Sequence, residues 1–410
     1  MENGRILTAH PGPAGANGAS PGSRRFLLYS NEMVGLGHLR RTIAITGRLA
    51  QVDTGATALI VTGSPIQPLF DLPPRVETVT LPTLTRDPNG RRRSRRLALE
   101  LEEIADLRAS IAVAAAEAFH PHCTIVDRFP TGVGGELEPA LEMLKAHGSK
   151  LVLGLRDIED DPAEVRRTWR PAVREAIERY YDLILVYGPE QPSLDAIDCL
   201  GWNDLEVSIP VAHVGYVGTP LPAWAANELP DTYVLATVGG GSDGFEVLRT
   251  FVEAIRFERL PHPAVVVAGP LMPEEHFRRL EALADGLDVS LWRFRADLEH
   301  VIAGARAVVC MAGYNTVSEL MRARRPALLV PRVEPIQEQL LRARDLQRRG
   351  LQDVLEPRDL SPAAMRAALE RVLARPLPTP SAEQFRGTER TVELLSALVG
   401  ASTNGNHGHG

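Results

Sequence analysis

Two stretches of this sequence carry residue types suited to a phosphorylated ligand. One is Gly313-Tyr314-Asn315-Thr316-Val317-Ser318-Glu319. Ahead of it, Ala307-Val308-Val309-Cys310-Met311 has the unbroken apolar character of a strand buried on both faces. Arg325-Pro326 ends the helix that follows, and Ala327-Leu328-Leu329-Val330-Pro331 supplies the next buried strand. The turn therefore sits at the carboxyl end of a strand, where open α/β sheets hold ligands. The helix N-terminus offers free N–H groups and a partial positive charge to a phosphate. Glu319 could accept hydrogen bonds from the vicinal hydroxyls of a ribose. It also stands at capping-box distance from Thr316, with Thr316 or Asn315 as the N-cap, so both roles are open.

The other stretch is Gly239-Gly240-Gly241-Ser242-Asp243-Gly244. It joins the strand Tyr233–Val238 to a helix with Phe245, Leu248, Phe251, Val252 and Ile255 at helical spacing. A glycine-rich strand-to-helix turn lets backbone N–H groups approach a pyrophosphate. No Gly-Lys-Ser/Thr follows, so it is not a Walker loop. The dinucleotide fingerprint, with its acid about 20 residues on, is also missing.

The first half of the chain has its own reactive types. Gly35-Leu36-Gly37-His38 lies between the strand Arg25–Ser30 and a helix expected over 38–50. A helix N-terminus depresses a histidine pKa and keeps it neutral, which suits a general base or a neutral donor. The bland reading is a histidine bonded to its own loop. Arg40 and Arg41 sit in the first turn, where their charge opposes the helix dipole, which points to an anionic partner. Asp127 ends the strand that begins at Cys123 and faces the same edge. It either orients His38, is itself the base, or pairs with Arg128 or its loop.

These motifs together resemble a known family. The glycine turn, Gly313-x-x-Thr316-Val317-Ser318-Glu319, and Pro331 followed by Gln337-Glu338-Gln339 look like the nucleotide-sugar half of MurG-type (family 28) glycosyltransferases. Gly35-Leu36-Gly37-His38-Leu39-Arg40-Arg41, Val126-Asp127-Arg128-Phe129-Pro130 and Leu155-Arg156-Asp157-Ile158 resemble the bacterial predicted glycosyltransferases related to MurG. The likeness implies a GT-B fold: two Rossmann-like domains with parallel sheets facing across a cleft. It implies a donor set of Gly240, Gly241, Ser242, Asp243, Gly313, Asn315, Thr316, Glu319, Glu338 and Gln339. Glu338 and Gln339 match the family's paired glutamines, and the glutamate at 338 leaves the sugar open. Arg293, Phe294 and Arg295 fall where the family contacts the base. Gly35, Gly37, Arg40, Arg156 and Asp157 are assigned to the acceptor, and His38 and Asp127 to catalysis. The family likeness also implies chemistry without a metal or other cofactor.

The elements that must position these residues follow from the wider sequence. The chain has 410 residues, too many for one ordinary domain. It is 44% hydrophobic and 24% charged, with a net charge of −7, which argues against general nucleic-acid binding. Residues 1–24, rich in Gly, Pro, Ala and Ser, and 401–410 are expected to be disordered. An acceptor domain is expected over 25–219, a proline-marked linker over 220–231 and a nucleotide-sugar domain over 232–380. A helix over 381–400 is expected to cross back onto the first domain. Leu97, Leu101, Ile104, Leu107 and Ile111 form an apolar stripe on one helix, and Glu136 is expected to begin another.

Arg91, Arg92, Arg93, Arg95 and Arg96 form either a solvated loop or a basic lip for lipid headgroups or an acceptor pyrophosphate. Three acids close together in Arg156-Asp157-Ile158-Glu159-Asp160-Asp161-Pro162 hint at Mg²⁺, but Asp161-Pro162 fits a helix cap better. Cys123, Cys199 and Cys310 are scattered in apolar surroundings, which favours buried thiols in a reducing compartment. No apolar run approaches the roughly 20 residues that span a bilayer. A cytoplasmic enzyme is expected, taking a uridine-linked donor to a hydroxyl or phosphate-linked acceptor in cell-envelope or exopolysaccharide synthesis; the acceptor is left open, a lipid-linked one at the inner membrane face among the options. The rivals are a GT-B epimerase and a non-catalytic nucleotide-sugar-binding protein.

Overall fold

Short runs of β-branched and aliphatic residues become two wholly parallel sheets. The computed structural model describes residues 23–30, 37–86, 91–169, 171–190, 208–218 and 229–404. The first sheet draws on β1 (Arg25–Ser30), β2 (Thr57–Thr62), β3 (Val76–Thr80), β6 (Cys123–Asp127), β7 (Lys150–Arg156), β8 (Leu183–Tyr187) and β9 (Val211–His213). Its order is β3-β2-β1-β6-β7-β8-β9. Between β3 and β6 the chain adds an antiparallel pair, β4 (Leu84–Arg86) and β5 (Arg92–Ser94). The second sheet contains β10 (Val234–Thr237), β11 (Ala264–Val267), β12 (Val289–Trp292), β13 (Ala307–Cys310), β14 (Ala327–Leu329) and β15 (Asp353–Val354). It runs β12-β11-β10-β13-β14-β15.

Each order reverses once, between β1 and β6 and between β10 and β13. Such reversals open a crevice at the carboxyl ends of the strands, because neighbouring connections leave in opposite directions. His38 follows β1 and Asp127 ends β6. The Gly239 turn follows β10 and the Gly313 turn follows β13. All four chemical motifs therefore lie at the two switch points. The helix Gly387–Asn404 packs Val392, Leu395 and Val399 into the core of the first sheet, beside Phe26, Leu39 and Ile45. This helix thus returns from the second sheet to the first. Gly215 lets it return: its φ is +89°, and a Cβ there would collide with the Gln384 carbonyl.

Several expectations need correction. On the helix Leu101–Phe119 the buried face is Ile104, Arg108, Ala112 and Ala116, while Leu97, Leu101 and Leu107 are exposed. A buried arginine interrupts the apolar pattern because Glu136 neutralises it at 2.7 Å and Tyr29 Oη lies 3.0 Å away. Glu136 is spent in that pair, and the helix after it starts at Glu138. The final helix begins at Gly387, after a short 3-10 turn over Ala382–Phe385. Asp161 does cap the helix Pro162–Thr168, accepting from the Ala163 N–H at 2.9 Å. Cys123 and Cys310 are buried free thiols. Residues 1–22, 405–410, Gly35, Cys199 and most of the proline linker lie outside the described residues.

Candidate active site

At the first switch point the helix Gly37–Val52 starts against the end of β6. His38 Nδ1 lies 2.8 Å from Asp127 Oδ2, and Arg41 Nη2 lies 2.6 and 2.8 Å from the two carboxylate oxygens. The carboxylate is the natural acceptor for Nδ1–H, which leaves Nε2 with the free lone pair. Arg41 Nη2 is also 3.0 Å from Nδ1, and its guanidinium lies over the rings of Tyr187 and Tyr314. Burial lowers the His38 pKa, against the opposing pull of Asp127; Arg41 and Arg156 lower it further. The Arg41 guanidinium, with the His38 ring hydrogen-bonded beside it, holds the Asp127 carboxyl down at about 2 despite its burial. Asp127 pairs with Arg41 and His38, and Arg128 turns instead to Glu159 at 2.9 Å.

At the second switch point the turns depend on glycine backbone. Gly239 and Gly241 have φ of +65° and +89°. A Cβ on Gly241 would strike the Ala268 carbonyl, so this glycine also lets the turn pack against the chain after β11. Gly313 is different: it is extended, it is the N-cap of the helix Tyr314–Arg322, and a Cβ there would meet nothing within 4 Å. The expected cap is therefore wrong. Neither Asn315 nor Thr316 caps the helix, because it starts before them and Glu319 lies in its second turn. Thr316 is buried in that helix, whereas Ser242 and Asp243 are exposed on the glycine turn, with Asp243 3.0 Å from Arg332.

Freed from capping, the polar groups of this helix reach the other domain. Asn315 Nδ2 donates to the Gly37 carbonyl at 3.1 Å. Glu319 Oε1 is 2.8 Å from Arg40 Nη2, which also meets Glu299 Oε2 at 3.0 Å. Burial raises the Glu319 pKa, Arg40 opposing it. Glu319 Oε2 is buried without a hydrogen-bond partner. Arg40, expected at the acceptor, thus meets two carboxylates of the second half.

A second set of pairs joins the domains beside the first. Asp157 accepts two hydrogen bonds from Arg342, at 2.7 and 2.9 Å, with both side chains almost fully buried. Glu338 is engaged by Arg332 at 3.0 Å, Arg342 at 3.4 Å and Arg156 at 3.6 Å. Gln339 Oε1 accepts from the Arg332 N–H at 3.1 Å. Arg156 also holds Glu159 at 3.1 Å, and Asp160 accepts from the Gln337 N–H at 2.8 Å. The acid run after β7 is thus divided among separate partners. Among the described residues there is no group of three His, Cys, Asp or Glu arranged to hold a metal ion.

Between the sheets a recess is lined by Arg40, Phe70, Gly239, Gly269, Phe294 and Arg295, among others. Phe70 and Phe294 meet edge to face at 6.2 Å. Arg295 is clamped by Asp297 and lies over Trp292. Arg293 points away, to Glu274 and the Met272 carbonyl, so of the three residues expected at the base only Phe294 and Arg295 line the recess. Glu299, Arg342, Arg332 and Phe70 join this arrangement without a local sequence signal. The local signal that did point to it was the Arg40-Arg41 pair, set against the dipole of its own helix.

Residues 235–393 match the family model of the glycosyltransferase family 28 C-terminal domain. An uncharacterized glycosyltransferase of Methanopyrus kandleri is 29% identical over 173 residues, covering 42% of this chain and 47% of that protein. A UDP-N-acetylglucosamine–N-acetylmuramyl-(pentapeptide) pyrophosphoryl-undecaprenol N-acetylglucosamine transferase of Anaeromyxobacter is 30% identical over 146 residues, 34% of this chain and 37% of the relative. The chain spans less than half the length of these relatives. Over nearly its whole length it shares the fold of Acinetobacter baumannii MurG: TM-score 0.56, 13% identity, 92% and 99% of the two chains. The UDP-GlcNAc 2-epimerase of Methanocaldococcus jannaschii is alike to the same degree, with TM-score 0.58, 10% identity, 91% and 99% coverage. The fold is GT-B.

Proposed function

We propose that this protein is an inverting glycosyltransferase that moves a sugar from a nucleotide-sugar to an acceptor hydroxyl. One observation carries the reading. His38 and Arg40 leave the same helix start, one bound to Asp127 at the first switch point and the other to Glu319 at the second. A basic imidazole and a ribose-suited carboxylate thus face one cleft. The second-half family match supports a nucleotide-sugar donor there, and the named relative's UDP-linked donor supports uridine.

In this reading Glu319 and Asn315 hold the ribose, and main-chain amides of the Gly239 and Gly313 turns receive the diphosphate. Glu338, Gln339 and Thr316 shape the sugar end. The acceptor lies against the first domain, near Gly37 and Arg156. His38 Nε2 takes the proton of the acceptor hydroxyl as its oxygen attacks the anomeric carbon. The nucleoside diphosphate leaves from the opposite face, so the configuration inverts. Asp127 fixes the tautomer and stabilises the imidazolium, and its depressed pKa makes it a poor base itself. The turn amides stabilise charge growing on the leaving diphosphate.

A lipid-linked acceptor at the inner membrane face is part of the proposal. Arg93, Arg95 and Arg96 are exposed beside Leu97, Leu99 and Leu101, which are 46%, 38% and 42% exposed. Cations next to apolar side chains suit an anionic lipid surface. No described helix is long and apolar enough to cross a membrane.

The test is product analysis after a screen of UDP-, GDP- and dTDP-sugars. Transfer to a supplied acceptor with an inverted anomeric centre is expected. Sustained isomerisation of the donor sugar without acceptor would make the protein an epimerase, and binding without turnover would make it a non-catalytic sugar-nucleotide protein.

A further inference from the structure

Arg40 is a first-domain side chain standing in the second domain's site. Its guanidinium is shared by Glu319 at 2.8 Å and Glu299 at 3.0 Å, and it borders the recess walled by Gly239, Gly269, Phe294 and Leu298. Gly239 belongs to the glycine turn, and Gly269 packs against that turn, since a Cβ on it would strike the Gly240 backbone. The other arginine lining this recess, Arg295, is fixed by two hydrogen bonds to Asp297, at 2.8 and 2.7 Å. One guanidinium therefore faces two carboxylates, and the second oxygen of Glu319 is buried without a donor. A buried acceptor left unpaired is unfavourable, and a ribose hydroxyl is the kind of donor that would satisfy it.

We propose that donor binding exchanges these partners: ribose hydroxyls take over Glu319, and the freed Arg40 turns onto the donor's diphosphate. The proposal rests on the nucleotide-sugar reading above. It makes Arg40 a donor-binding residue supplied by the opposite domain. A guanidinium matches the paired oxygens of a diphosphate and is not deprotonated near neutral pH. Its charge is most useful as the diphosphate departs and gains negative charge. Because Arg40 and His38 leave the same helix start, the exchange also draws the base toward the anomeric carbon. Cleft closure is then tied to the arrival of a diphosphate rather than of any nucleoside.

The test compares UDP with uridine by calorimetry, with GDP and guanosine, and dTDP and thymidine, run alongside. Wild type and Arg40→Ala are titrated. Arg40→Ala should bind the preferred nucleoside diphosphate at least 10-fold more weakly, while the matching nucleoside binds as well or better because Glu319 is released. Equal tightening of both ligands would make Arg40 only a latch over Glu319 and overturn the proposal, as would unchanged affinity for both. Wild type binding none of the diphosphates would instead defeat the nucleotide-sugar reading itself. Should Arg40→Ala melt early, Arg40→Gln, which can still donate to both acids, gives the same comparison.

Discussion

Asp157 and Arg342 come from opposite domains, 185 residues apart in the chain, and meet through two buried hydrogen bonds of 2.7 and 2.9 Å. Removing one member strands the other as a buried charge, which costs far more than the net worth of the pair. Asp157→Ala should therefore lose about 3–5 kcal/mol in urea unfolding. Replacing both, Asp157→Ala with Arg342→Met, should recover a large part of that loss. A single-mutant loss below about 1 kcal/mol would mean that this pair does not hold the domains together.

The His38 pair predicts a pH profile. Burial keeps the His38 pKa below its ordinary 6.5, so the imidazole is neutral at pH 7 and the rate should fall only on acidification below that value. His38→Ala should lower turnover by about 10²–10⁴ while leaving donor affinity nearly unchanged. Asp127→Asn removes the group that raises the His38 pKa and leaves Arg41 uncompensated. The acid limb of the surviving activity should then move to lower pH. A limb that moves upward, or full activity in His38→Ala, would dismiss the histidine mechanism.

Asp127 also links pH to stability. Its folded-state pKa, about 2, lies below its ordinary 3.8. Its contribution is full above the higher value and is lost as the pH falls through the lower one. Wild type should lose more stability between pH 4 and pH 2 than Asp127→Asn does. Equal acid sensitivity, measured by urea unfolding, would contradict the pairing.

The glycines separate binding from folding. Gly313 has extended backbone and open space around its Cα, so Gly313→Ala should melt like wild type yet bind nucleoside diphosphate weakly. Gly241→Ala should melt lower, because its φ of +89° and the Ala268 carbonyl leave no room for a Cβ. If Gly313→Ala binds as wild type does, the phosphate is not at this helix start.

How legible the molecule was depends on the range of the interaction. Buried parallel strands such as Ala307–Cys310 and Ala327–Leu329 announce themselves as apolar runs, and a glycine turn after a strand places a ligand-facing edge. These are local signals. The Thr316–Glu319 spacing was equally local but misleading: the helix begins at Tyr314, so a valid capping-box spacing falls inside it. Arg108 shows the opposite failure. Its charge looks like a solvated face until Glu136 and Tyr29 are brought to it. Arg40 with Glu319 and Arg342 with Asp157 are readable only once both sheets are folded and facing.

The exposed arginines at 93, 95 and 96 make a membrane prediction. Changing Arg93, Arg95 and Arg96 together to alanine should cut binding to vesicles containing anionic lipid on the order of 100-fold, at roughly 1 kcal/mol per cation. Binding to neutral vesicles should change little. Sedimentation showing equal losses on both would remove the electrostatic role.

Glu319 is the proposed acid that holds the ribose of a nucleotide-sugar. Calorimetric titration of wild type and Glu319→Ala with the UDP-, GDP- and dTDP-sugars tests it, with melting curves to confirm that the variant is folded. One nucleotide class should bind wild type, and Glu319→Ala should bind it more weakly by roughly 1.5–3 kcal/mol, the worth of a hydrogen bond to a charged group. Unchanged affinity in folded Glu319→Ala, or no binding of any nucleotide-sugar by wild type, would contradict the account.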